Sequence, residues 1–194
     1  MIFRRKHEFK PDKLASSTLS KLYLTPRQRK LLLKWVLMGL LLTLLSLLQD
    51  VVFSRLRISG ATFDLVPCGI LLGCILMLPE TAGVFSLTAS TLYYFSGTAP
   101  GVYSIAMLTA LGILLCIFRR SYLKKGFFST FLCASFGIVV YKLVVFGINL
   151  FLGATLGARF GIFCLGTGLT VAAILPLYPI FLSICNIGGE TWKE

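Results

Sequence analysis

The chain has 194 residues, 57% of them hydrophobic and only 13% charged, with a formal net charge of +12 and a mean hydropathy of +0.88. A soluble domain carries about a quarter of its residues charged, so this composition excludes a soluble globular protein and predicts a single compact, polytopic membrane domain. The six cysteines, Cys68, Cys74, Cys116, Cys133, Cys164 and Cys185, lie in apolar runs, form no Cys-x-x-Cys pair and have no histidine beside them, which predicts neither a disulfide framework nor a metal site.

Residues 1–34 hold ten of the 19 basic residues and are punctuated by Pro11 and Pro26. They read as a basic cytoplasmic tail with little fixed structure, its charge serving as a topology signal and a contact for anionic headgroups. Neither aromatic interleaving nor a helix-turn-helix pattern accompanies the charge, so nucleic acid is not an expected partner. The segment 21–35 has the make-up of a short interfacial helix with Pro26 in its first turn. A long basic region and the lack of an Ala-x-Ala site argue that the tail is retained rather than cleaved.

Trp35–Phe53 is the first expected span, and a short connection with Arg55, Arg57 and Gly60 follows. Residues 65–95 form one apolar run of 31 residues interrupted by "LPETAG". As a single helix it would measure about 46 Å, against a hydrocarbon core near 30 Å. Pro79 forbids helix continuation through Leu78, and Glu80 seeks water. The pattern therefore predicts two short crossings, 62–78 and 81–96, joined by a cytoplasmic hairpin turn at Pro79 and Glu80. A re-entrant hairpin satisfies the same pattern.

"SGTAPG" at 96–101 reads as a second turn. A fourth span over 102–118 ends at the basic run "RRSYLKK", whose Arg119, Arg120, Lys124 and Lys125 form a topology-setting cluster. A fifth span, 127–152, carries Lys142 and Asn149. A sixth, 162–185, is expected to bend where Pro176 and Pro179 interrupt it. Residues 186–194 make a short cytoplasmic end. With both termini inside, fifteen basic residues face the cytoplasm and three face out, as the positive-inside rule requires. The prediction is thus an all-α membrane protein: a basic tail (1–34), a bundle of six transmembrane helices (35–185) and a polar end (186–194), both termini cytoplasmic.

No catalytic motif is present: no Gly-x-Ser-x-Gly, no His-Glu-x-x-His and no Walker loop. Asp50 and Asp64 fall at the outer ends of spans one and two, an arrangement that does not suggest an aspartyl dyad. The sequence predicts no enzyme and no cofactor. Lys142 is the sharpest feature, because a lone lysine in an apolar span costs about 2.5–3.5 kcal/mol on insertion scales. It is expected to pair with Asp50 at a similar outer depth or to snorkel outward; contact with a substrate or ion is the other reading. Gly69-x-x-x-Gly73, Ser86-x-x-x-Ser90 and Ala106-x-x-x-Ala110 are small-residue patterns that let helices approach closely, and Gly157-x-x-x-Gly161 repeats the spacing.

The order of features resembles the MreD family of rod shape-determining proteins. Leu48-Gln49 ends the first span, Phe63-Asp64-Leu65 enters the second, and Glu80 with Gly83 marks the turn of a split helix pair. Pro100-Gly101 stands where the family has Leu-Gly before the fourth span, and "STLYYFSG" lacks the acid that the family places near the third. The resemblance covers roughly residues 35–185. It implies a six-helix protein of the bacterial cytoplasmic membrane without enzymatic activity, a scaffold of the elongation machinery. It also implies partners: MreC and, through it, MreB and the sidewall peptidoglycan synthases. The alternative is the substrate-binding subunit of an energy-coupling-factor vitamin transporter, similar in architecture. That family commonly has an Ala-x-x-x-Ala docking pattern on its first span; 35–53 contains no alanine.

Overall fold

The computed structural model describes residues 26–53, 61, 63–123, 126–153 and 157–187. Among them the chain is helical, with no β-strand. In order, the elements are α1 (Pro26–Leu48), prolonged by a π-helical turn (Gln49–Phe53); α2 (Leu65–Leu76); α3 (Pro79–Phe95); α4 (Tyr103–Tyr122); α5 (Phe127–Phe151); a 3-10 turn (Gly157–Arg159); α6 (Phe160–Ala172); and α7 (Ile174–Ile187). Among the described residues, four helical stretches are long and apolar enough to cross a membrane: Gln28–Val52, Tyr103–Tyr122, Phe127–Phe151 and Phe160–Ile187, the last comprising α6 and α7 together.

The short helix α2 is the centre of the fold. Its sequence, "LVPCGILLGCIL", has no polar side chain, and all twelve residues are buried. A helix that is apolar all round must be covered all round, and α1, α3, α4, α5, α6 and α7 all pack on it. The glycines decide how closely. A Cβ on Gly73 would stand 2.6 Å from the Phe85 ring of α3, and one on Gly69 would stand 2.8 Å from Leu45 of α1 and 3.3 Å from Phe181 of α7. The Gly69/Gly73 face is therefore a socket for aromatic rings and a leucine, rather than a backbone-to-backbone seam. On other sides of α2, Cys74 fills the space left by Gly112 of α4, and Leu71 approaches Gly137 of α5.

Contacts along the rods show that neighbours run antiparallel. Ser86 and Ser90 of α3 face Gly112 and Thr109 of α4 in reversed order, with Ser90 Oγ 3.2 Å from Thr109 Oγ1. Phe146 meets Phe160 edge-on and Phe163 at a tilt at one end of α5, and Phe127 meets Tyr178 at the other. The turn after α3 uses Gly97 in the left-handed region (φ 78°), where a side chain would be strained.

Several expected boundaries shift. The chain reverses at Met77 and Leu78, so "LPETAG" is mostly helix and only its leucine belongs to the turn. Pro79 takes the first helical position, and Ala82 N–H and Thr81 Oγ1 both donate to Leu78 O. Proline is preorganised for that position and Glu80 favours the positive end of a helix dipole, so the segment that breaks one helix starts the next. At the amino terminus the helix expected with Pro26 in its first turn and the first span are one element: α1 starts at Pro26 and runs on through Trp35, because no breaker separates them. The sixth span breaks at Ala173, ahead of Pro176, whose missing N–H and ring disrupt the turn before it; Pro179 is accommodated inside α7. Ala106 and Ala110 turn outward and are exposed, as are Gly157 and Gly161, so these small-residue pairs form no seam among the described residues. Residues 1–25 and 188–194, which include most of the expected tail and C-terminal end, lie outside the described residues.

Candidate functional site

A helix buried on every side still has two polar ends, and side chains from other helices come to both of them. At the N-terminus of α2, Gln49 of the π-helical turn is buried and its Oε1 accepts from Val66 N–H at 3.0 Å. The wide π turn re-aims the end of α1, and such turns often mark functional places. Thr170 Oγ1 of α6 accepts from Asp64 N–H at 3.4 Å. The Asp64 carboxylate caps no N–H with its own side chain; it forms an ion pair with Lys142 of α5. The two side chains retain 14% (Lys142) and 25% (Asp64) exposure, so bulk water screens them little. One helix terminus thus ties together α1, α5 and α6.

This corrects the expected partner of Lys142. The ion pair is made with Asp64 rather than Asp50. Both acids lie at the same end of the bundle, so depth alone could not separate them; the rotation of α1 and α2 about their axes decides, and that is set by packing.

At the other end, Arg119 Nη1 of α4 donates to Ile75 O at 2.7 Å. Cys116 Sγ donates to Met77 O and Cys74 Sγ to Ala82 O. The first two contacts satisfy carbonyls at the C-terminal end of α2 that the helix cannot satisfy itself. Arg119, expected only as part of a topology cluster, therefore also closes the last turn of α2. Arg120 and Glu80 are exposed at the same end; Lys124 and Lys125 lie outside the described residues. Gly83 faces Ile113 of α4, where a Cβ would make ordinary contact at 3.7 Å, and Gly101 abuts the ring of Tyr103. Neither belongs to the polar cluster at the start of α2.

Beside that cluster lies a half-open cleft of about 350 Å³ between α1 and α3, with Val66 of α2 in its lining. Asp50, Thr43 and Ser46 line it from α1, and Tyr93 and Ser96 from α3 and its end. Leu47 and Leu92, 61% and 55% exposed, stand at its mouth, so it opens sideways from the bundle. Sequence reasoning missed this cleft, because it depends on α1 and α3 diverging around Val66. The six cysteines are free thiols, five buried and Cys164 exposed, and the described residues hold no cluster of metal-ligating side chains.

Compared with known proteins, the chain matches no family model, no curated protein and no solved structure.

Proposed function

We propose that the chain is a non-enzymatic scaffold of the bacterial elongation machinery, of the MreD kind, that binds MreC in the membrane and supports sidewall peptidoglycan synthesis through MreB and its synthases. The observation that carries this reading is the convergence of Gln49 and Asp64. Two residues on which the resemblance rests act at one point, the first turn of the central helix. Around that helix the outward faces of α1, α4 and α5 are apolar and exposed, and exposed apolar area in a membrane domain is available to lipid and partner helices.

In this reading the chain crosses the membrane six times with both termini cytoplasmic. The alternation of α1, α2, α3, α4, α5 and the α6–α7 pair supports six passes, and the distribution of basic residues supports the orientation. The length of α2, about 18 Å, is compatible with a pass because protein covers it on every side; only lipid-exposed helices must match the bilayer.

The test is depletion in the native host together with photocrosslinking from Ala110 and Leu114, exposed on α4. Depletion is expected to leave wide or round cells that still divide, and the photoprobes to capture MreC. Normal shape after depletion, or purification with an ATPase pair and a tightly bound vitamin, would replace the scaffold reading with the transporter-subunit one.

A further inference from the structure

The stretch Phe160–Ile187 covers 28 residues and breaks at Ala173, close to its middle. The break therefore lies about 20 Å from either end, at the depth where water is scarcest. Around it the helix has two faces. Ile174, Leu177, Phe181 and Cys185 are buried against the bundle, while Ala172, Leu175, Pro176, Pro179 and Ile180 are exposed, Leu175 at 53%. An exposed apolar face in a membrane ordinarily needs nothing but lipid. This one carries two prolines.

In a helix each carbonyl points along the axis toward the N–H four residues on. Pro176 and Pro179 have no N–H, so the carbonyls of Ala172 and Leu175 lose those donors, and each ring crowds the carbonyl it faces. No side chain among the described residues makes up the loss. Ser183 Oγ donates to Pro179 O, Thr170 Oγ1 to Gly166 O and Thr167 Oγ1 to Phe163 O, each at 2.8 Å. Lipid tails donate nothing. Two carbonyl dipoles thus turn their negative ends to hydrocarbon, and what complements them in charge is a hydrogen-bond donor. We infer that the exposed face around Ala172, Leu175 and Ile180 docks a transmembrane helix of another protein that presents an amide or hydroxyl donor near its centre. A second copy of α7 fits poorly: its exposed amide, Asn186, lies about three turns beyond Leu175, so copies running in the same direction hold it at another depth. The face is argued apart from the scaffold reading: it can fail while MreC binding stands, and the converse.

The test uses the full chain in phosphatidylcholine nanodiscs, with a benzophenone side chain in place of Ile180 on this face or of Leu132, exposed on α5. The probe is a dilute polyleucine transmembrane peptide with one central asparagine, compared with its all-leucine counterpart. From position 180 the asparagine peptide should be captured about fivefold more than the all-leucine one, the ratio expected for one hydrogen bond in a membrane. From position 132 the two should be captured alike. Pro176→Ala with Pro179→Ala returns both N–H groups to the helix and should abolish the preference at 180. Thermal unfolding of each variant verifies that it is folded. Equal capture of the two peptides at 180, the same preference at 132, crosslinks between two copies in place of peptide capture, or a preference unchanged in the folded proline variant would each overturn the inference.

Discussion

Arg119 of α4 reaches 44 residues back along the sequence to hold the carbonyl of Ile75, 2.7 Å from its Nη1, and so closes the C-terminal end of a helix to which it does not belong. The last carbonyls of a helix lack partners within it, and in a water-poor bundle each must find one. The guanidinium suits the place on two counts: it donates in several directions and its charge complements the negative end of the helix dipole.

Arg119→Ala should therefore destabilise the bundle by about 1–3 kcal/mol, the cost of stranding a buried acceptor, while Arg119→Lys recovers part of that loss. Reversible unfolding in mixed micelles measures both. If Arg119→Ala and Arg120→Ala prove equally mild, the charge at this end serves topology alone.

The Lys142–Asp64 pair makes a second prediction. Either Lys142→Met or Asp64→Leu strands one charge and should cost about 2–3 kcal/mol, below the range for a fully buried pair because a quarter of Asp64 is exposed. The double variant should cost much less than the sum. Asp50→Leu combined with Lys142→Met should instead be additive, which separates the pair observed from the one that depth alone suggests.

Glycines divide by what surrounds them. Gly73→Ala places a methyl 2.6 Å from the stiff, buried ring of Phe85 and should destabilise by about 1–3 kcal/mol. Gly147→Ala, in α5, meets nothing within 4 Å and should be neutral or stabilise by about 0.5–1 kcal/mol through helix propensity. Thermal unfolding of the two single variants is the comparison to make, and a matching loss in both would mean that packing at Gly73 is not tight.

Topology is checked by labelling. In a background without native cysteines, Glu80→Cys and Arg120→Cys, both exposed at the end of the bundle where α2 stops, should react with an impermeant maleimide only from the cytoplasmic side. Reaction of either from outside in intact cells removes the proposed orientation.

The helical, membrane-spanning character was legible because it rests on composition and run length, which average over many residues. The end of α5 near 151 and the break ahead of Pro79 were legible for a different reason, since a breaker acts locally. Other features were not. That Lys142 needed a partner followed from the cost of a lone charge, but the choice of Asp64 depends on helix rotation. The role of Arg119 was hidden because an arginine at the end of a span reads first as a topology signal. Gln49 stood out only through a resemblance; its bond to Val66 N–H requires the π turn, which no pattern in "LLQDVVF" announces.

A helix of twelve residues without lipid-facing surface also constrains the order in which the membrane domain is made. Alpha2 is too short to rest across a bilayer alone, and its walls come from later parts of the chain: Gly112 on α4, Gly137 on α5 and Phe181 on α7. During synthesis it can be lodged only as a hairpin with α3, shielded by whatever accompanies the nascent chain, until those walls arrive. Phe181 is among the last of these core residues to emerge, so the centre of the bundle is closed only once α7 has been made, and the innermost segment is the one that waits longest for its surroundings.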